Sequence, residues 1–138
     1  MKILIAGGTG FIGKALTAYL VSREVEVNVL YRKEVRREDF VSYYKWDVDN
    51  GFIDVKAFED VDAIVNMTGA NIGEKRWTEK RKIEIVDSRI KPLKLLLKYL
   101  HKLNMHVDTF ISSSAVGFYG ALTTEKIFTE ENYSGHDL

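Results

Sequence analysis

A glycine-rich segment near the N-terminus holds the residues best suited to bind an anion. Residues 7–13 read GGTGFIG, directly after the apolar run ILIA and before the helix-forming run KALTAYLVSR. A strand, a glycine turn and a helix N-terminus in this order direct backbone N–H groups and the positive end of the helix dipole at one spot. Because glycine lacks Cβ, a pyrophosphate can come close to the backbone. The segment therefore predicts a dinucleotide site rather than a plain tight turn.

A basic pair at the end of the predicted second strand bears on the choice of nucleotide. Arg32 and Lys33 follow Tyr31. An acidic residue at this place accepts from the 2′-hydroxyl of the adenosine ribose, whereas Arg or Lys accommodates a 2′-phosphate, which guanidinium can bind bidentately. The pair favours NADP(H) over NAD(H), with solvated loop charges as the alternative. Asp47, at the end of the third predicted strand, either reaches the adenine edge or serves only as a turn residue.

Five apolar runs predict the strands that position these residues, and they alternate with helical patterns. Strands separated by helices indicate right-handed crossovers and a parallel sheet. We therefore expect one α/β domain over residues 1–138, a doubly wound parallel sheet with strand order 3-2-1-4-5 and an irregular tail over 115–138. The glycine turn, Met67–Gly69 and Ser112–Ser114 should all open onto the crevice at the carboxyl ends of the strands. The predicted strands are residues 3–6, 25–31, 41–48, 63–68 and 109–113.

A long helix is predicted from about Thr78 to Asn104, with Pro92 expected to bend or break it. Its apolar residues step by three and four and so predict one apolar stripe. The stripe comprises Ile83, Val86, Ile90, Leu93, Leu97 and Leu100.

Composition excludes several classes of site. The 138 residues are 46% hydrophobic and 29% charged with zero formal net charge, so no overall field favours nucleic acid or an anionic membrane. Without cysteine there is no disulfide, thiolate metal site or Cys nucleophile. His101, His106 and His136 share no ligand spacing, so no metal site is expected. Met1-Lys2 leads directly into a strand, and no apolar run approaches the ~20 residues of a membrane span, which makes the cytoplasm the expected location.

The chain as a whole resembles an extended short-chain dehydrogenase/reductase, of the Rossmann type. Within that superfamily it is most similar to the atypical branch of NAD-dependent epimerase/dehydratase, or sugar-nucleotide-epimerase-like, proteins. The elements that carry the resemblance run through the sequence in the family's order. They are GGTGFIG at 7–13, YRK at 31–33, WD at 46–47, NMTGA at 66–70, GEKRWTEKR at 73–81, DSRI at 87–90 and SSSAVGFYG at 112–120.

The resemblance implies cofactor contacts at matching positions. Arg32 would take the ribose phosphate, and Met67 and Thr68 would line the site. Glu84 and Arg89 would touch the cofactor, unless Glu84 only pairs with a neighbouring Lys and Arg89 is a solvated charge. The pyrophosphate would be cradled by Gly7, Thr9, Gly10, Phe11, Ile12 and Gly13.

Ser114 falls where the superfamily has its catalytic Ser or Thr. Its hydroxyl would bond a substrate carbonyl or alcohol while a neighbour moves the proton; alternatively, the three serines only satisfy backbone groups. The superfamily's Tyr-x-x-x-Lys pair does not follow Ser114 in this chain, since Tyr119 and Tyr133 are followed four residues later by Thr123 and Asp137. Residues 75–77, Lys-Arg-Trp, either meet an anionic or aromatic substrate or leave Trp77 covering the sheet.

The expected function is that of an NADP(H)-binding domain of an oxidoreductase or epimerase-like enzyme. The resemblance implies hydride transfer at a carbinol or carbonyl carbon of a small, sugar-type substrate. The alternative is a non-enzymatic NADP(H) sensor. Relatives in the branch add further strands and a substrate domain, so we expect a truncated, inactive fragment. Its exposed fifth strand should then be hidden by homodimerisation, by segment exchange or by the tail.

Overall fold

The fold is a parallel sheet with helices on both faces, in a computed structural model that describes residues 1–33, 36–114, 116–120 and 125–135. The strands and helices are β1 Lys2–Ala6, α1 Phe11–Val21, β2 Glu26–Tyr31, β3 Arg36–Glu38, β4 Val41–Asp47, β5 Phe52–Ile53, β6 Ala63–Asn66, α2 Glu79–Lys102 and β7 Thr109–Ser112. Short 3₁₀ turns occupy Val55–Phe58 and Val116–Tyr119. Five parallel strands lie in the order β4-β2-β1-β6-β7, which confirms the predicted order 3-2-1-4-5.

Two short strands were not predicted. β3 and β5 both pair antiparallel with β4, and they contain three and two residues. Such short segments carry no measurable period of two, so sequence pattern cannot find them. β6 also ends at Asn66, two residues before the predicted end, because Thr68 turns back to bond the Asn66 side chain.

Two apolar clusters form the core, one on each face of the sheet, as alternation along the strands requires. Leu4, Leu30 and Ile64 face α2 and pack with Leu96 and Tyr99. The other face buries Ile3, Ile5, Val27, Val29, Val41 and Val65, with Leu16 and Leu20 of α1 packed against them.

The predicted stripe is not the buried face of α2. Four of its six residues are exposed, namely Ile83, Val86, Ile90 and Leu97. The helix instead buries Pro92, Leu95, Leu96 and Tyr99 against the sheet. A period of 3.6 identifies apolar faces but not which face meets a neighbour. α2 also runs on through Pro92, so the predicted break is wrong.

A buried amide joins β2 to the turn at Val55–Phe58. Asn28, in the middle of an otherwise apolar strand, is buried and donates from Nδ2 to the Ala57 carbonyl at 2.9 Å. The Tyr99 hydroxyl similarly accepts from the Ile53 amide at 3.0 Å, which ties α2 to β5. Both contacts satisfy polar groups that would otherwise be costly to bury.

β7 is the edge strand of the described sheet, and its Ile111 side chain is 53% exposed. The described part of the tail bonds to itself: the Gly135 amide donates to Phe118 O, and the Tyr119 ring stacks on Phe128 at 4.8 Å. Within the described part of the tail, Val116–Tyr119 form the short 3₁₀ turn. His136 and the residues after it lie outside the described residues.

Candidate functional site

A cavity of about 1020 Å³ lies at the carboxyl ends of β1, β2, β4 and β6 and is bordered by the first half of α2. This is the edge where doubly wound sheets bind ligands. Nine residues predicted from the sequence line it together: Gly7, Thr9, Gly10, Arg32, Lys33, Asp47, Met67, Thr68 and Glu84.

The glycine turn has little room for side chains. Gly7 has φ of +89°, and a Cβ there would lie 2.8 Å from the Met67 carbonyl oxygen. A Cβ on Gly13 would run into Gly7 O, so α1 starts in direct contact with the turn. These contacts explain why the turn must be built from glycine.

The N-terminus of α1 offers backbone donors beside the cavity. Its N-cap is Gly10, which supplies no side-chain cap, and the first helical hydrogen bond runs from Lys14 N to Gly10 O at 2.9 Å. The amides of Phe11, Ile12 and Gly13 precede that bond and have no partner within the helix. These three residues directly follow Gly10, which lines the cavity, but are not lining residues themselves. Unbonded amides at the positive end of a helix dipole suit an anion.

The rim beyond β2 is basic. Arg32 and Lys33 are exposed there, and Lys45 joins them from β4, where it pairs in register with Tyr31. Sequence reasoning missed Lys45; the parallel register of β2 and β4 is the information that brings it beside the basic pair.

Asp47 is both a lining residue and a turn residue. Its carboxylate accepts from the side chain and the backbone N–H of Asn50, at 2.8 and 3.0 Å. These hydrogen bonds lower the pKa of Asp47, because they favour the ionised form. A carboxylate already holding two donors still has lone pairs for a ligand.

Asn66 organises the end of β6, and sequence reasoning missed it. The buried Oδ1 accepts from the Thr68 hydroxyl at 2.7 Å and from the Thr68 amide at 3.3 Å. Its Nδ2 donates to the Ser112 hydroxyl at 3.3 Å, so one side chain joins the ends of β6 and β7. The sequence does carry a signal for this role, because Asn66 is a polar residue at the end of an otherwise apolar strand.

Glu84 faces the cavity from the second turn of α2 and pairs with an arginine, not with the lysine considered from sequence. Its Oε1 lies 2.7 Å from Arg81 Nη1. That hydrogen bond holds the pKa of Glu84 below its usual range. The Lys91 ammonium, also on the wall, lies 2.8 Å from Asp87, which raises the pKa of Lys91. The polar wall of the cavity consists of Lys80, Glu84, Asp87, Ser88 and Lys91. Their spacing of three and four residues places them on one face of a helix, so the sequence pattern indicates this wall.

Arg89 lies outside the lining and holds the backbone that follows β6. Its guanidinium packs on Gly69 and donates from Nη1 to Ile85 O at 2.9 Å. The Ser88 hydroxyl accepts from the Ala70 amide at 2.8 Å beside it. Arg89, which is exposed, therefore contacts the segment that forms the wall, and its contact with the cofactor stays a prediction.

Ser112, Ser113 and Ser114 are not among the residues that line the cavity, and the role expected of Ser114 stays a prediction. β7 lies one strand beyond β6, and the Ser113 backbone amide donates to Asn66 O at 2.9 Å, which extends the pairing of these two strands. Ser114 is exposed. Trp77 is not among the residues that line the cavity, and its Nε1 donates to Ile72 O at 2.8 Å, within its own loop.

Within the described residues, no three His, Asp or Glu side chains are grouped closely enough to hold a metal ion. In the same part of the chain, none of the helices offers an apolar stretch long enough to cross a bilayer.

Comparison with known proteins locates this geometry in one family. Residues 3–136 match the model of the NAD dependent epimerase/dehydratase family. An epimerase family protein of Mycobacterium leprae is 35% identical over 134 residues, and the match covers 96% of this chain and 41% of that protein. The epimerase family protein YfhF of Bacillus subtilis is 34% identical, with 96% and 43% covered.

Solved structures agree. The crystal structure of human epimerase family protein SDR39U1 with NADPH superposes with a TM-score of 0.78 at 30% identity, covering 97% of this chain and 43% of that one. UDP-glucose 4-epimerase from Bifidobacterium longum, in complex with NAD⁺ and UDP, has a TM-score of 0.75 at 24% identity, with 98% and 43% covered. The chain thus spans about two-fifths of the length of these relatives. A match over nearly the entire sequence, joined to a glycine turn that opens onto the crevice, means that the chain belongs to the NAD-dependent epimerase/dehydratase family.

Proposed function

We propose that the chain binds NADP(H), with the pyrophosphate at the glycine turn and the adenosine 2′-phosphate at the basic rim. One observation carries this proposal: Gly7 and Gly10 line the same cavity as Arg32 and Lys33. The cavity volume of about 1020 Å³ is in the upper range for small-molecule sites. The NADPH in the human relative's structure supports the choice of nucleotide.

Each part of the site has a chemical task in this proposal. The amides at the start of α1 bind the pyrophosphate, and Arg32, Lys33 and Lys45 neutralise the 2′-phosphate. Asp47 and Glu84 are acceptors, suited to the amino and hydroxyl donors of the nucleotide. Met67 and Thr68 contact the cofactor at the end of β6, where Asn66 orients the Thr68 hydroxyl.

We further propose that the protein to which this chain corresponds is an oxidoreductase or epimerase-like enzyme acting on a sugar-type substrate. The nicotinamide, when bound, supplies hydride transfer at a carbinol or carbonyl carbon. Ser114 would orient the reacting oxygen, and the 138-residue chain alone would bind cofactor without turnover. Relatives described with UDP-sugars favour this substrate class.

A titration tests the binding proposal. Wild-type chain is titrated with NADPH and with NADH, following reduced-nicotinamide fluorescence, beside Arg32→Asp. We expect tighter binding of NADPH, and a loss of about tenfold or more for NADPH but not for NADH in Arg32→Asp, because a charged hydrogen bond to phosphate is removed.

Arg23→Asp is the matched control, since the Arg23 guanidinium lies over the Tyr19 ring and does not line the cavity. It should retain wild-type affinity for both nucleotides. Equal affinity of the wild-type chain for NADPH and NADH would contradict the proposed specificity, and no binding of either would contradict the proposed function.

A non-enzymatic NADP(H) sensor is the second candidate, favoured by the position of Ser114 outside the cavity lining. The two candidates differ in turnover. Hydride exchange between NADPH and a panel of carbonyl compounds, measured on a full-length relative and on its variant at the position of Ser114, distinguishes an enzyme from a sensor.

A further inference from the structure

Arg81 is the only charged side chain that is buried among the residues whose burial the structure describes, with 5% of it exposed. Burying a charge is costly unless it is paired and hydrogen-bonded. Its position adds to the cost, because it lies in the first turn of α2, where the helix dipole disfavours a cation. A volume-matched apolar residue would avoid both costs, so stability alone does not account for an arginine here.

The guanidinium joins two parts of the molecule. Its Nη1 donates to Glu84 Oε1 at 2.7 Å, on the cavity wall. Its Nη2 donates to Asn71 O at 2.6 Å and lies 3.9 Å from a Glu74 carboxylate oxygen, both in the loop between β6 and α2. Its Nε is buried with no acceptor among the described residues. The buried Arg81 guanidinium thus connects Glu84 on the cavity wall to the adjoining loop.

We infer that Arg81 is a positioning residue of the nucleotide site, acting through Glu84. This inference rests on the proposed function, because it requires a dinucleotide in the cavity. The bond of 2.7 Å from Arg81 holds the Glu84 carboxylate in one orientation, and an ionised carboxylate can only accept hydrogen bonds. It is therefore pre-organised for donor groups of the cofactor, namely ribose hydroxyls or a carboxamide, at little ordering cost on binding.

The same helix supplies a matched control pair. Lys82 and Glu79 have the same i,i+3 separation and an N···O distance of 2.8 Å, but both side chains are exposed and neither lines the cavity. Exposed pairs of this kind contribute little to stability. Any difference between the two pairs in nucleotide affinity thus reflects the site rather than the helix.

The experiment is a double-mutant cycle on NADPH affinity in the full 138-residue chain. The variants are Arg81→Met, Glu84→Gln and the double variant, beside the control variants Lys82→Met and Glu79→Gln. We expect each of the first two to weaken NADPH binding about tenfold, and the double variant to bind no more weakly than the weaker single one. The control variants should match the wild type.

Additive losses in the double variant would overturn the inference, because Arg81 would then not act through Glu84. So would wild-type affinity in Arg81→Met. If Arg81→Met does not fold, as judged by circular dichroism, Arg81→Lys replaces it in the cycle: lysine keeps the charge but cannot bond both Glu84 and Asn71, so NADPH binding should still weaken and still show no additional loss with Glu84→Gln.

Amide hydrogen exchange at residues 71–74 separates this inference from the proposed function. Faster exchange there in the Arg81 variant, with tight NADPH binding in the wild type and weak binding in the variant, supports both. If the wild-type chain binds NADPH and the variant binds it equally well, only the inference fails. If the wild-type chain binds no nucleotide, the proposed function fails, and the inference with it.

Discussion

The central strand β2 and the edge strand β7 differ in how far their apolar side chains are buried. In β2, Val27, Val29 and Leu30 are each no more than 2% exposed, since strands lie on both sides and helices or turns cover both faces. In β7 no residue is buried, although its sequence TFIS also contains two large apolar residues. Alternation in a sequence therefore reports which side chains favour burial, but not whether a neighbour is there to bury them.

Helix α2 shows the same contrast between a buried and an exposed apolar residue. Leu96 is fully buried against the sheet, whereas the next residue, Leu97, is 47% exposed. Matched variants of buried and of exposed residues test whether this difference in burial also holds in solution.

The largest effect is expected from the pair Leu96→Ala and Leu97→Ala. Leu96→Ala should lower the free energy of unfolding by about 2–5 kcal/mol, because it leaves a cavity in the core. Leu97→Ala should change it by less than about 0.5 kcal/mol. Urea unfolding followed by circular dichroism measures both, and equal losses would mean that the outer face of α2 is covered in solution.

Gly13→Ala should have the next largest effect. The added Cβ would run into Gly7 O, so the turn or α1 must move, at a cost of about 1–3 kcal/mol of stability. Gly117→Ala is the control, since nothing lies within 4 Å of the Cβ position there. Thermal melts of both variants test this, and a Gly13→Ala melt at the wild-type temperature would show that the turn has more freedom than its contacts indicate.

The open edge of β7 predicts self-association of this 138-residue chain. Among the described residues no strand pairs with the outer edge of β7, so its N–H and C=O groups beside the exposed Ile111 form a template for a second strand. Ile111→Lys should lower the dimer fraction in sedimentation velocity, because a charge on an edge strand opposes pairing. Leu97→Lys controls for association through α2, and a wild-type chain that sediments as a monomer at every concentration would refute the prediction.

The smallest effect concerns pH. The pKa of Asp47 is lowered from its ordinary value of 3.8 by the hydrogen bonds from Asn50, so its contribution to stability is present above pH 3.8 and is lost as the pH falls through the folded-state pKa. Asp47→Asn should therefore lower the melting temperature slightly at pH 7 and leave it unchanged at a pH below the folded-state pKa of Asp47. The exposed Asp39 in the β3–β4 turn provides the control, as Asp39→Asn.

The sequence predicts most of the fold because its central strands are nearly continuous apolar runs that require cover on both faces. It also predicts the lining residues that directly follow strands, such as Gly7, Arg32 and Met67, since position along the chain places them at one edge. Residues whose roles depend on distant partners were missed. Asn66 and Arg81 are buried polar residues, and their hydrogen bonds to Ser112 and Asn71 exist only in the folded chain. Ser114 follows β7, the outermost strand on that side of the described sheet, and its predicted role stays untested by the fold alone.

The buried side-chain amide of Asn28 bears on the proposed nucleotide site through the register of β2. Sliding β2 by one residue relative to β1 would turn Asn28 to the opposite face and break its bond to Ala57 O, leaving an unsatisfied amide in an apolar layer. Asn28 thus acts as a register lock. Because Arg32 and Lys33 directly follow β2, the lock fixes how far the two cations reach past the glycine turn, and so sets the span between the two phosphate-binding positions proposed above.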